Sequence, residues 1–319
     1  MVEAPVRARP RGRATPLADG TALHESTVHE STVHESTGRV RVGRISVRAL
    51  RVAFLSVTAL VMLIPLYLLV IGAFKSQQDI LQHPFSPTLQ RFTGQYLVRA
   101  LHNPDFNVVQ GYAVTILFVV LVNALSIALA GPVSYVIGRG KGARYQFLLL
   151  FFVAGTFIPS QVLVIPVVYT LKALSLMGTI RGFVLFETSL TLPFSIFLYA
   201  SYIRTLPVEI DEAAALDGAG RIRTFWRVIL PLMRPVIATM VVLNTISIWN
   251  DFVNPQIILG PGSGLYTVTT GIYAAVGQYS TDYTVVFPTL LLAIAPVLVF
   301  FIFMQRYIVG GLTAGATKG

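Results

Sequence analysis

The chain contains no cysteine, which excludes a disulfide framework and any thiolate-held metal centre. Charge is the second scarcity: Asp, Glu, Lys and Arg make up 12% of the 319 residues, about half of the roughly 25% usual in soluble domains. No G-x-x-x-x-G-K-[ST] stretch occurs, so the chain lacks the phosphate-cradling loop that ATP chemistry of that kind needs. The first 50 residues have no apolar core of the signal-peptide type, and no secretory signal is expected. Neither face of the chain gathers the His, Asp, Glu or Ser set that an active site requires, which argues against a membrane enzyme.

Apolar runs fill the space that charge leaves. Hydrophobic residues account for 54% of the chain, and Val52–Phe74, Gly111–Gly138 and Tyr145–Leu171 carry no charge at all. About 20 such residues suffice for a helix to cross the hydrocarbon core. The pattern predicts an all-α integral membrane protein with six spans, at 52–74, 111–137, 145–171, 183–203, 235–257 and 285–305. Gly131-Pro132 in the second span, and Pro159 and Pro166 in the third, are expected to be tolerated where neighbouring helices satisfy the freed carbonyls. Asp251 interrupts the fifth.

The net charge of +10 has a topological explanation. With the N-terminus inside, 19 of the 24 Lys and Arg residues fall on the inner segments, among them Arg139, Lys141, Arg144 and the basic residues of Arg204–Arg234. The positive-inside rule then places both termini in the cytoplasm, and nucleic acid is not needed as a partner. Residues 1–49 form a separate polar tail carrying a repeat of HESTV over 24–37, ahead of a membrane domain over 50–319. Its His24, His29 and His34 recur every five residues, about 500° on a helix, so they share no face and are not expected to bind metal. A disordered low-complexity tail is the expectation.

One segment breaks the apolar pattern. Arg204–Arg234 carries nine ionisable side chains, and holding them at the bilayer centre would cost on the order of 20 kcal/mol or more. It belongs in the cytoplasm. Thr205 and Pro207 read as the cap and first turn of a helix, with Glu209, Asp211 and Glu212 at its positive end. Ala213–Ala215 continue it and Gly218 and Gly220 end it. Arg221–Leu230 reads as a second, amphipathic helix with Ile222, Phe225, Trp226 and Ile229 on one face. A short helix with a small-residue face and a projecting acid suits a groove on another protein. The alternative is a helix lying on lipid headgroups, against which its acidic first turn argues.

Glu212-Ala213-Ala214, then Gly218, then Val228-Ile229-Leu230-Pro231 after nine intervening residues, resembles the EAA signature of ABC-importer permeases. Val228 in place of the usual Ile is the one departure. Trp249-Asn250-Asp251-Phe252 and the ending from Gln305 to Gly319 are similar to the carbohydrate-uptake branch, in particular to MalG-like subunits of maltose importers. The likeness covers roughly residues 50–319 and implies the type I importer permease fold, six spans with a cytoplasmic coupling helix, in a bacterial inner membrane. It also implies roles. Glu212, Ala213, Ala214, Asp217, Gly218, Leu230 and Pro231 would dock on a cytoplasmic ATPase dimer, Glu212 supplying the acidic contact and Gly218 the turn. ATP and Mg would reside on that ATPase, with no cofactor on this chain. A second homologous permease subunit, an extracytoplasmic solute-binding protein and membrane lipid would complete the surroundings.

The solute is less legible. Asn244, Asn250, Asp251 and Asn254 concentrate polarity in the fifth span and are the candidate substrate path; hydrogen bonding between helices explains them equally well. Gln161 and Glu187 raise the same choice. Polyols, glycerol phosphate and peptides stand as alternative solutes. A secondary transporter is the alternative mechanism, but apart from Asp251 the spans offer few ion-coupling groups.

Overall fold

The structure is a computed structural model that describes residues 40–87, 92–102, 106–276 and 282–316. The histidine repeat and residues 317–319 lie outside these. Two units are distinguished, Met1–Ala59 and Leu60–Gly319. The described residues of the first belong to helix α1 (Val40–Gly72), and its Val52, Phe54, Leu55 and Val57 are exposed, as suits a surface facing lipid tails.

The second unit is built from helices alone among the described residues. Four helical stretches are long and apolar enough to cross a bilayer: Val47–Gly72, α4 (Val108–Arg139), α7 (Ile180–Thr205) and Tyr283–Gln305 within α14 (Tyr283–Ala316). They answer to the first, second, fourth and sixth expected spans. Local chemistry sets their starts. Asn107 Oδ1 accepts the N–H groups of Val109 and Gln110 ahead of α4, and Thr179 Oγ1 accepts that of Gly182 ahead of α7.

The third and fifth spans differ from expectation. In place of one helix over 145–171 there are two, α5 (Ala143–Gly155) and α6 (Ser160–Ala173), bent by 93°. Pro159 offers no N–H to continue the ladder and stands extended, at ψ 129°, just before α6, so the chain breaks where tolerance is expected. Pro166, in contrast, is accommodated within α6. The fifth span is also one arm of a bent pair. Helical residues Arg221–Leu232 meet α11 (Arg234–Asn250) at 72°. Helix α11 stops at Asn250, short of the expected 257. Asp251 leaves the helix at ψ 122° and its carboxylate accepts the Asn254 N–H, starting α12 (Val253–Ile258) instead.

Helices α4 and α7 pack most intimately. Ser126, Ala130, Ser134 and Gly138 recur every four residues on α4, and all but Gly138 are buried. Ser126 and Ser195 hydroxyls meet at 3.2 Å, and Ser134 Oγ donates to the Ala130 and Ile196 carbonyls. A Cβ on Gly138 would stand 2.9 Å from Ile203 Cγ2. Small residues of this spacing let two backbones approach where lipid supplies no hydrophobic drive between helices.

Candidate functional site

The charged segment forms a short helix, α8 (Glu209–Leu216), with Glu209, Asp211 and Glu212 in its first turn as the helix dipole favours. Its entry differs from expectation. Thr205 is the last residue of α7, where its hydroxyl donates to the Tyr202 carbonyl, and Pro207 lies in the link. The helix starts after Val208 with no side-chain cap. The acids of its first turn complement the helix dipole in the absence of a cap.

The far end of α8 is as the glycine spacing predicts. Gly218 adopts φ +77°, its N–H reaches the Ala215 carbonyl, and the Ala219 N–H reaches that of Ala214. These two bonds close a Schellman turn, which needs a left-handed residue at this position. Around α8, Ala214 faces inward, whereas Glu212, Ala213 and Asp217 are exposed and Leu216 is 90% exposed.

The inner side of α8 is held by residues of α4. Arg139 Nη2 lies 2.7 Å from Asp211 Oδ2, and the Tyr135 hydroxyl donates to Asp211 Oδ1. Arg139 also donates to the Ile203, Leu206 and Pro207 carbonyls at 3.1, 2.8 and 3.1 Å. The sequence marked Arg139 only as an inner positive charge. Nothing local to it could have named partners more than 60 residues away.

Beyond Gly220, the expected second helix runs as α9 (Arg221–Thr224), a wide π turn over Phe225–Ile229 and α10 (Leu230–Leu232). The widening comes just before Pro231, whose ring would crowd a normal turn. It also splits the expected apolar face. Phe225 and Ile229 are buried beside α4 and α7, whereas Ile222 is 78% and Trp226 45% exposed. Phe225 fits against Gly131, where a Cβ would stand 2.9 Å from Phe225 Cζ. Leu230 is half-buried and Pro231 exposed.

The polar residues of the fifth span separate into two groups. Asn250, Asp251 and Asn254 line a cavity of about 880 Å³, together with Gln161, Glu187 and residues at the break between α5 and α6. There Asn254 Nδ2 donates to Glu187 Oε1 at 3.0 Å. Asn244 does not line it. Its amide donates to Asn123 Oδ1 on α4 at 3.3 Å, an interhelical bond. Trp249 likewise serves packing: its indole N–H reaches the Ala293 carbonyl and its ring stacks on Tyr112. Thr156, Pro159, Ser160 and Gln161 at the bend in the third span thus face the cavity, where irregular backbone is tolerated.

A family model described as binding-protein-dependent transport system inner membrane component matches residues 130–312. The multiple sugar-binding transport system permease protein MsmG of Streptococcus mutans is 30% identical over 268 residues, covering 83% of this chain and 95% of the relative. The diacetylchitobiose uptake system permease protein NgcG of Streptomyces coelicolor is 29% identical, with 83% and 87% covered. The arabinooligosaccharides transport system permease protein AraQ of Halalkalibacterium halodurans is 28% identical, with 82% and 93% covered. In fold, the chain is similar to a crystal structure of a bacterial ABC transporter involved in importing the acidic polysaccharide alginate, at TM-score 0.72 and 21% identity, covering 84% of this chain and 98% of that one. The helical fold, the EAA-type segment with its glycine turn, and these likenesses agree: the chain belongs to the family of inner-membrane components of binding-protein-dependent transport systems.

Proposed function

We propose that this membrane component carries sugars inward, driven by ATP hydrolysis on a cytoplasmic ATPase dimer that grips α8. The observation that carries the reading is the two-sidedness of α8. Its inner side is tied to α4, while Glu212 and Leu216 project outward with no partner among the described residues. A helix offering an acid and a large apolar side chain on a rigid mount is what a groove can hold. Exposed Glu212, Ala213 and Asp217 make the contact and Gly218 its turn, Ala214 packs inward beneath them, and Leu230 and Pro231 lead into α11. Exposed Ile222 and Trp226 widen the apolar contact area.

ATP and Mg sit on the ATPase, and this chain contributes no nucleotide-binding group. A second permease subunit shares the pathway, a solute-binding protein delivers the sugar from outside, and both termini lie in the cytoplasm. The sugar class rests on the relatives, whose names specify multiple sugars, diacetylchitobiose and arabinooligosaccharides. The polar cavity holding Asn250, Asp251 and Asn254 suits a polyhydroxyl solute, since its carboxylate and amide groups offer both acceptors and donors.

The test replaces Glu212 with Lys in the assembled transporter. Sugar uptake should fall at least tenfold while the spans still insert. Normal uptake with the ATPase bound would overturn the docking role.

A further inference from the structure

We propose that Arg139 is a positioning residue that locks α8 to the inner ends of α4 and α7, so that a displacement of α8 moves both spans as one body. This deepens the docking reading above and rests on it.

Only Leu206, Pro207 and Val208 separate α7 from α8. A three-residue link between two helices is a natural hinge, and a force applied to α8 would be absorbed there unless something stiffened it. Arg139 occupies that position. Its guanidinium takes the Leu206 and Pro207 carbonyls within the link, the Ile203 carbonyl at the end of α7, and the Asp211 carboxylate in the first turn of α8. The last carbonyls of a helix lack the usual partner four residues on; the Ile203 carbonyl, which also accepts the Leu206 N–H, and the two link carbonyls turn toward the guanidinium.

Side-chain chemistry suits this task to arginine. The planar guanidinium spreads several donors in fixed directions, whereas a lysine ammonium is a single compact point. Arg139 and Asp211 are 15% and 18% exposed, so water competes little for the pair. Tyr135, one turn before Arg139 on α4, donates to the other oxygen of Asp211 and so anchors the carboxylate from a second side. The guanidinium therefore joins three elements at one point: α4, which carries it, the end of α7, and α8.

The experiment uses the whole transporter, reconstituted with its ATPase and second permease, and reads sugar moved per ATP hydrolysed. A pair of spin labels, one at Ala219 and one at Gly142, reports the spread of distances between the end of α8 and the loop after α4. In Arg139→Gln the ATPase stays bound and hydrolyses ATP, the ratio falls at least tenfold and the distances broaden. A wild-type ratio overturns the proposal. So does a parallel fall in transport and hydrolysis with an unbroadened distance, which would mark Arg139 as structural only. Should Arg139→Gln fail to assemble, Asp211→Asn removes the ion pair to α8 and leaves the link carbonyls bound; an unchanged ratio there overturns the proposal equally. Glu212→Lys run in parallel separates the two readings. Lost uptake in that variant beside an intact ratio in Arg139→Gln defeats the lock alone, and normal uptake in Glu212→Lys defeats the docking reading itself.

Discussion

Gly218 and Asn244 show how differently single residues answer to the sequence. Gly218 was legible because a glycine after an alanine-rich turn has a local reason to be there, and its φ of +77° supplies it. No atom lies within 4 Å of where its Cβ would be, so a substitution acts through backbone strain and not through a clash. Gly218→Val should cost about 1–2 kcal/mol locally and abolish uptake, whereas Gly218→Asn should retain most of it, because Asn tolerates left-handed geometry. Equal loss in the two variants, measured as ATP-dependent uptake, would place the cause elsewhere. Asn244 was not legible: polarity in a span is the same in sequence whether it meets solute or another helix. Its bond to Asn123 supports the interhelical reading. A double-mutant cycle of Asn123→Ala and Asn244→Ala should give a coupling of about 0.6 kcal/mol, and no more than about 1.7, with the ranking of transported sugars unchanged. Altered ranking would return Asn244 to the substrate path.

At the scale of elements, the pairing of α4 with α7 turns on one stripe. Ser126, Ala130, Ser134 and Gly138 were present in the sequence at a spacing of four, but a run of small residues does not say which helix it will meet. Ser134 is fully buried there. Ser134→Leu should therefore force the helices apart at a cost of about 1–3 kcal/mol, read as a lower unfolding temperature in detergent. Ser134→Ala should stay close to wild type. A Leu variant as stable as the parent would contradict the packing described. The broken third span teaches the complementary lesson. Pro159 and Pro166 are seven residues apart in one apolar run, yet only Pro159 breaks it. Intrinsic preference disfavours both equally, so the surroundings decide which is absorbed.

For the whole molecule, the absence of cysteine becomes an experimental advantage. Any single introduced thiol is the only one, so labelling reports its side of the membrane without background. Gly262→Cys, in the segment after α12, should react with a membrane-impermeant maleimide on intact cells. Ala143→Cys, after the second span, should react only once the membrane is opened. The reverse pattern would invert the orientation drawn from the basic residues. The proposed orientation would put α8 and Arg139 on the ATPase side and the cavity at Asn250 toward the solute-binding protein, so one labelling experiment bears on both ends of the proposed cycle.

What the sequence determined by itself follows from quantities that are local or summed along the chain. Apolar length set the membrane class and four of the six expected spans, charge cost argued for placing Arg204–Arg234 outside the bilayer, and fixed spacing picked out Glu212, Gly218 and Pro231 as one motif. Tertiary structure decided whatever depends on two distant segments meeting. Arg139 with Asp211, Asn123 with Asn244, and Glu187 with Asn254 are pairs whose members lie far apart in the chain and close in space. Folding alone brings such pairs together, because each half is an ordinary polar residue until packing removes water and leaves it one partner.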